Sequence, residues 1–131
     1  MRQMLVHIGE RFRVIVPEAV EPEDRRLGLG QRTSIEPGML FRQLEGDLAV
    51  HNAGMLVPFD VVWIHGNARK GLRVTGLFRE IPPSSRASVW LTCVGSLVLE
   101  LPAGVIEARG LSLRDAVRLA LALEEATRLA G

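Results

Sequence analysis

The chain has no tyrosine, one cysteine, one lysine and no apolar run long enough to cross a bilayer. Each scarcity excludes something. A single thiol, Cys93, rules out an intramolecular disulfide. Its place in Val89-Trp90-Leu91-Thr92-Cys93-Val94 points to a buried structural thiol and away from a reactive one. Four Phe and two Trp provide no aromatic set on which bases could stack, and the 16 basic residues, balanced by 15 acids, form no Lys/Arg-rich run. Nucleic-acid binding is therefore not expected. The N-terminal MRQMLVHIGERF is too short in apolar content for a secretory core, and no segment reaches the roughly 20 apolar residues of a membrane helix. A cytoplasmic protein without membrane contact is expected. His7, His51, His65 and Cys93 lie on different expected strands without paired ligand spacing, so neither metal nor cofactor is expected. No Gly-x-Gly-x-x-Gly, Walker or Gly-x-Ser-x-Gly motif occurs.

What is present is enough for one core. A chain of 131 residues, 47% hydrophobic and 24% charged, fits a single domain over 1–131 that needs no disulfide or metal to hold it. Short apolar runs separated by turn residues predict strands at 4–8, 12–16, 39–42, 47–51, 58–65, 72–79, 89–94 and 96–101. Gly9-Glu10 joins the first two as a hairpin, Pro17 ends the second, and IPPSSRA is a loop. This punctuation argues for a mainly β fold, a compact sandwich-like or barrel-like domain. Two helices are expected beside it. One is short, near 22–29, where Glu21–Gln31 turns charged and ends at Gly28 or Gly30. The other is C-terminal, near 113–129. Ser112-Leu113-Arg114-Asp115 resembles a capping box, and Ala116, Val117, Leu119, Ala120, Leu123, Ala126 and Leu129 recur at helical spacing.

Three stretches carry a family resemblance. They are RRLGLGQRTSIEPGMLF (25–41), HNAGMLVPFDVVWIHG (51–66) and VLELPAGVIEARGL (98–111). In order and spacing they resemble the signatures of the domain of unknown function 192 family, the second resembling its His-x-x-Gly-Met subfamily. The motifs fall within 25–120. Asn52-Ala53 stand where that pattern has Thr-Phe. The resemblance implies a compact, β-sandwich-like domain with short helices and no established activity. It also conflicts with the helical reading of the C-terminus. The family runs through a Gly-Asp turn into a final strand, so either 117–120 is a short strand with the helix starting later, or helix replaces strand. The helical start near Ser112 is preferred here.

Two acids stand in apolar runs. Alternation on strand 58–65 puts Phe59, Val61 and Trp63 on one face and Asp60, Val62 and Ile64 on the other. Both faces are apolar, so Asp60 is expected to be buried; Glu100 repeats the situation in Leu97–Leu101. A buried carboxylate costs several kcal/mol unless paired or well hydrogen-bonded. Arg26, Arg32 and His51 are the candidate partners. In a functional reading these residues, with Gly54 allowing close backbone approach, line a polar ligand pocket. In a structural reading the acids accept backbone N–H groups or arginine forks and pin loops to the sheet, and that reading is preferred for both.

Three functions follow. The preferred one is a non-enzymatic module binding a small ligand or protein partner through a polar pocket near His51 and Asp60, with Arg26, Arg32, Gly54 and Glu100 as further ligand-binding candidates. The alternative is a hydrolase or isomerase with Asp60 and His51 as its catalytic acid/base pair. The third is a structural or oligomeric protein, a homodimer through the C-terminal helix.

Overall fold

A computed structural model of the chain describes residues 1–20, 34–42, 49–51, 55–67, 69–83, 90–92 and 95–122, with the backbone alone at 49–51 and 90–92. Nine strands are described: β1 (Gln3–Ile8), β2 (Phe12–Ala19), β3 (Met39–Arg42), β4 (Ala49–His51), β5 (Phe59–Asn67), β6 (Gly71–Ile81), β7 (Trp90–Thr92), β8 (Leu97–Pro102) and β9 (Ala116–Leu121). One short helix, α1 (Val105–Ala108), follows β8. Seven strands close into a barrel in the order β1-β2-β3-β8-β5-β6-β9, and β4 pairs with β7 in a separate two-stranded sheet. Barrel closure removes the free sheet edges that a sandwich would leave.

Inside the barrel, alternate residues meet. Met4, Val6 and Ile8 of β1, Val62 and Ile64 of β5, Leu97, Leu99 and Leu101 of β8 and Val117 of β9 belong to one buried cluster. Ile106 of α1 and Leu111 join it, so the segment after β8 packs into the barrel interior. A second cluster lies on the outer face of β3, β5 and β8 and contains Met39, Phe41, Phe59, Val61, Trp63 and Val98. Residues 59–64 are therefore buried on both faces, as the unbroken apolar run of β5 implies.

The mainly β single domain is as the sequence predicts, and the eight expected strands are present: 39–42 has its expected bounds, 47–51 and 89–94 are described at 49–51 and 90–92, and the other five have shifted ends. Pro17 does not end β2. The Glu18 N–H donates to the carbonyl of Arg2, the residue just before β1, so the neighbouring Pro17 would direct its missing N–H toward the other side. There β2 pairs with β3 only from Glu18 onward.

The C-terminal helix is the main correction. Residues 116–121 are strand β9, paired antiparallel with β1 from Met4↔Leu121 to Ile8↔Val117 and with β6 at Leu72↔Val117 and Arg73↔Ala116. Val117, Leu119 and Leu121 turn inward at period two, a pattern hidden inside the helical spacing. Good helix formers yield here because a strand at this position satisfies the backbone of both β1 and β6. Ser112–Asp115 does form one half of a capping box, the Asp115 carboxylate accepting the Ser112 N–H at 2.8 Å. However, Arg114 takes φ 72°, which turns the chain instead of starting a helix. The rest of the expected helix, 123–129, and the helix near 22–29 lie outside the described residues, as does any dimer contact through the former.

Candidate functional site

Asp60 and Glu100 sit diagonally across the β5–β8 ladder, where Asp60 pairs with Leu101 and Val61 with Glu100. Because side chains alternate, this register sends them to opposite faces of the sheet. They do not share a pocket.

Asp60 is fully buried on the interior face. One carboxylate oxygen accepts the backbone N–H of Glu80 at 2.8 Å and the other that of Ile106 at 2.9 Å. Both donors would otherwise be orphans. The β5–β6 register slips between Phe59↔Ile81 and Val61↔Phe78, leaving a bulge on β6 around Glu80, which has φ 50°. Helix α1 begins after Gly104, which has no side chain with which to cap it. Asp60 supplies that cap from another strand and holds the bulge with its second oxygen. No arginine is bonded to it among the described residues. Arg26, Arg32 and Gly54 lie outside the described residues; His51 is placed by its backbone opposite Trp90, with its side chain outside them.

Glu100 is buried on the outer face with the second cluster, flanked in register by Met39 on β3 and Val61 on β5. No donor among the described residues bonds its carboxyl. Burial in these apolar surroundings pushes its pKa up to about 7. Close by, two residues along β5 from Val61, Trp63 is fully buried and its indole Nε1–H has no hydrogen-bond partner among the described residues. Gly38 holds the neighbouring backbone tight: a Cβ there would stand 2.3 Å from the Glu100 carbonyl oxygen. The face gathers all three motif stretches, with Ile35, Met39 and Phe41 from the first, Met55, Phe59, Val61 and Trp63 from the second, and Val98 and Glu100 from the third.

The buried acid that does hold arginines is Glu18, which the sequence reading passed over. It accepts from Arg2 and from Arg42, the latter at 2.6 Å. Desolvation raises its pKa, but the two guanidiniums outweigh it and leave the carboxyl below its ordinary value. The available signal was an acid inside a strand, as for Asp60 and Glu100, obscured by the assumption that Pro17 ended β2. Trp63 was assigned to the correct face, but an unpartnered indole cannot be read from spacing. Among the described residues no group of three His, Cys, Asp or Glu side chains could hold a metal ion, and no helix is long and apolar enough to cross a membrane.

Similar folds occur in solved structures. A protein from Sinorhizobium meliloti 1021, described as a candidate transcription regulator, matches with a TM-score of 0.71 and 26% identity over 88% of this chain and 92% of that one. A protein of unknown function from Novosphingobium aromaticivorans DSM 12444 matches with a TM-score of 0.70 and 21% identity, over 87% of this chain and 83% of its own. No curated protein matches the chain. The model of the DUF192 family, described as uncharacterized ACR, matches residues 4–119. With nearly the whole barrel inside that match, from β1 into β9, the chain belongs to the DUF192 family.

Proposed function

We propose that this domain is a non-enzymatic binding module for a small ligand, with its site on the outer face of β3, β5 and β8. The observation that carries this reading is Glu100, a buried carboxyl without a described hydrogen-bond donor, beside Trp63, whose indole N–H also has no described partner. Buried polar groups left unpaired cost about 1–3 kcal/mol each. The Trp63 N–H carries that cost, and together with the Glu100 carboxyl on the same apolar face it suits a ligand with an apolar body and a carbonyl-type acceptor. A protonated Glu100 donates one hydrogen bond and Trp63 donates another. The acid/base alternative loses support from Asp60, whose two oxygens are occupied by backbone donors on the opposite face. DNA binding also has less support, since the described helix is only four residues long and the net charge is +1.

The Trp63 indole N–H gives an NMR cross-peak that a Trp63→Phe variant identifies. Neutral carbonyl-bearing fragments are expected to shift it and raise the melting temperature, with Glu100→Gln weakening the effect. A fragment set that moves neither the cross-peak nor the melting temperature sinks the proposal.

A further inference from the structure

We infer that a second site, an open cleft beside α1, binds a small amphipathic carboxylate. The cleft has a volume of about 720 Å³, within the range of small-ligand sites. Its walls come from the start of β2, from Pro37, from the end of β8 and from α1. The apolar lining is Phe12, Val14, Leu101, Pro102 and Val105. The charged side chains on the cleft are Arg109 and Glu36; Arg13, between Phe12 and Val14, projects to the other face of β2. Arg109 has no carboxylate partner among the described residues.

Arg109 is already placed. Its guanidinium carbon stands 5.3 Å from the centroid of the Phe12 ring, over the face of a side chain that is itself buried. Stacking on an aromatic restrains the guanidinium and leaves its N–H edge free for a carboxylate, which its planar fork matches. The α1 wall is fixed as well, because Asp60 holds the Ile106 N–H. An apolar floor with one guanidinium that has no described carboxylate partner fits a ligand with a hydrocarbon body and one carboxylate. This site is independent of the proposed outer-face site, since Glu100 and Trp63 take no part in it.

The test is a titration of the full chain with 4-phenylbutanoate, followed by amide NMR, with 4-phenylbutan-1-ol as the uncharged counterpart. Saturable shifts are expected at Val14, Val105 and Ala108 with a Kd of about 1 mM or tighter, and about tenfold weaker binding of the alcohol. Arg109→Gln is expected to weaken the acid about tenfold, whereas Arg69→Gln, in the β5–β6 turn, leaves it unchanged. Equal binding of acid and alcohol, or no saturable shift in the cleft, overturns the inference without reference to any variant. So does a ligand that shifts the Trp63 indole cross-peak in place of the cleft amides.

Discussion

At the scale of single residues, two neighbouring acids have opposite environments, and a one-residue step in register is the cause. Asp60 points inward to two backbone donors, whereas Glu100 points outward among Met39, Val61 and Val98. For Glu100 the consequence is a pH dependence with a definite sign. Its folded pKa, about 7, lies above the ordinary 4.5, so between these values the native state holds a proton that the unfolded chain has lost. The Glu100 contribution to stability is therefore greatest below about 4.5, falls as pH rises to about 7 and then levels off. Other carboxyls add their own slopes, and Glu18, with its lowered pKa, acts in the opposite sense at lower pH. The Glu100 contribution is isolated by comparing urea unfolding of wild type and Glu100→Gln at pH 5 and pH 8. The variant is expected to gain about 2–3 kcal/mol relative to wild type on going from the lower pH to the higher. An equal difference at both pH values would show that Glu100 is ionised in the fold.

At the scale of elements, Asp60 ties three pieces of chain together: β5, the bulge of β6 and the first turn of α1. Asp60→Asn keeps the size but puts an NH₂ group against one of two N–H donors, so one hydrogen bond becomes a donor–donor contact. A loss of about 2–3 kcal/mol in chemical denaturation is expected, with the Glu80 and Ile106 amides losing hydrogen-exchange protection before the rest of the sheet. Unchanged protection at those two amides would refute the tying role. Helix α1 itself was not legible in the sequence. Four residues leave no periodicity to read, and its cap comes from a residue 46 positions away. Strand β9 was misread for a related reason. Local propensity favours helix over 113–129, and only the open edges of β1 and β6 tip the balance toward strand.

At the scale of the whole molecule, closure is the organising fact. The chain's first and last described strands meet, so β1 and β9 complete the barrel across nearly its full length. Removing residues 113–131 is expected to expose the edges of β1 and β6 along with Val6, Ile8 and Val74 of the interior cluster. Such a truncation should bind a hydrophobic dye and self-associate in light scattering. A monodisperse, cooperatively unfolding product would show that closure by β9 is dispensable.

The β class, the single domain, the position of most strands and the family were all legible in the sequence. Those features rest on short-range alternation and turn chemistry, which any window of the chain displays. The sequence also showed that Asp60 and Glu100 would be buried, because an acid within a two-sided apolar strand has nowhere else to go; Glu18, beside Pro17, escaped that reading. Tertiary structure alone decided what each acid meets. Glu18 met the arginines, Asp60 met a bulge and a helix start, and Glu100 met apolar neighbours. Those partners are set by strand order and register, and the sequence spacing of a residue carries no record of which strand will lie beside it.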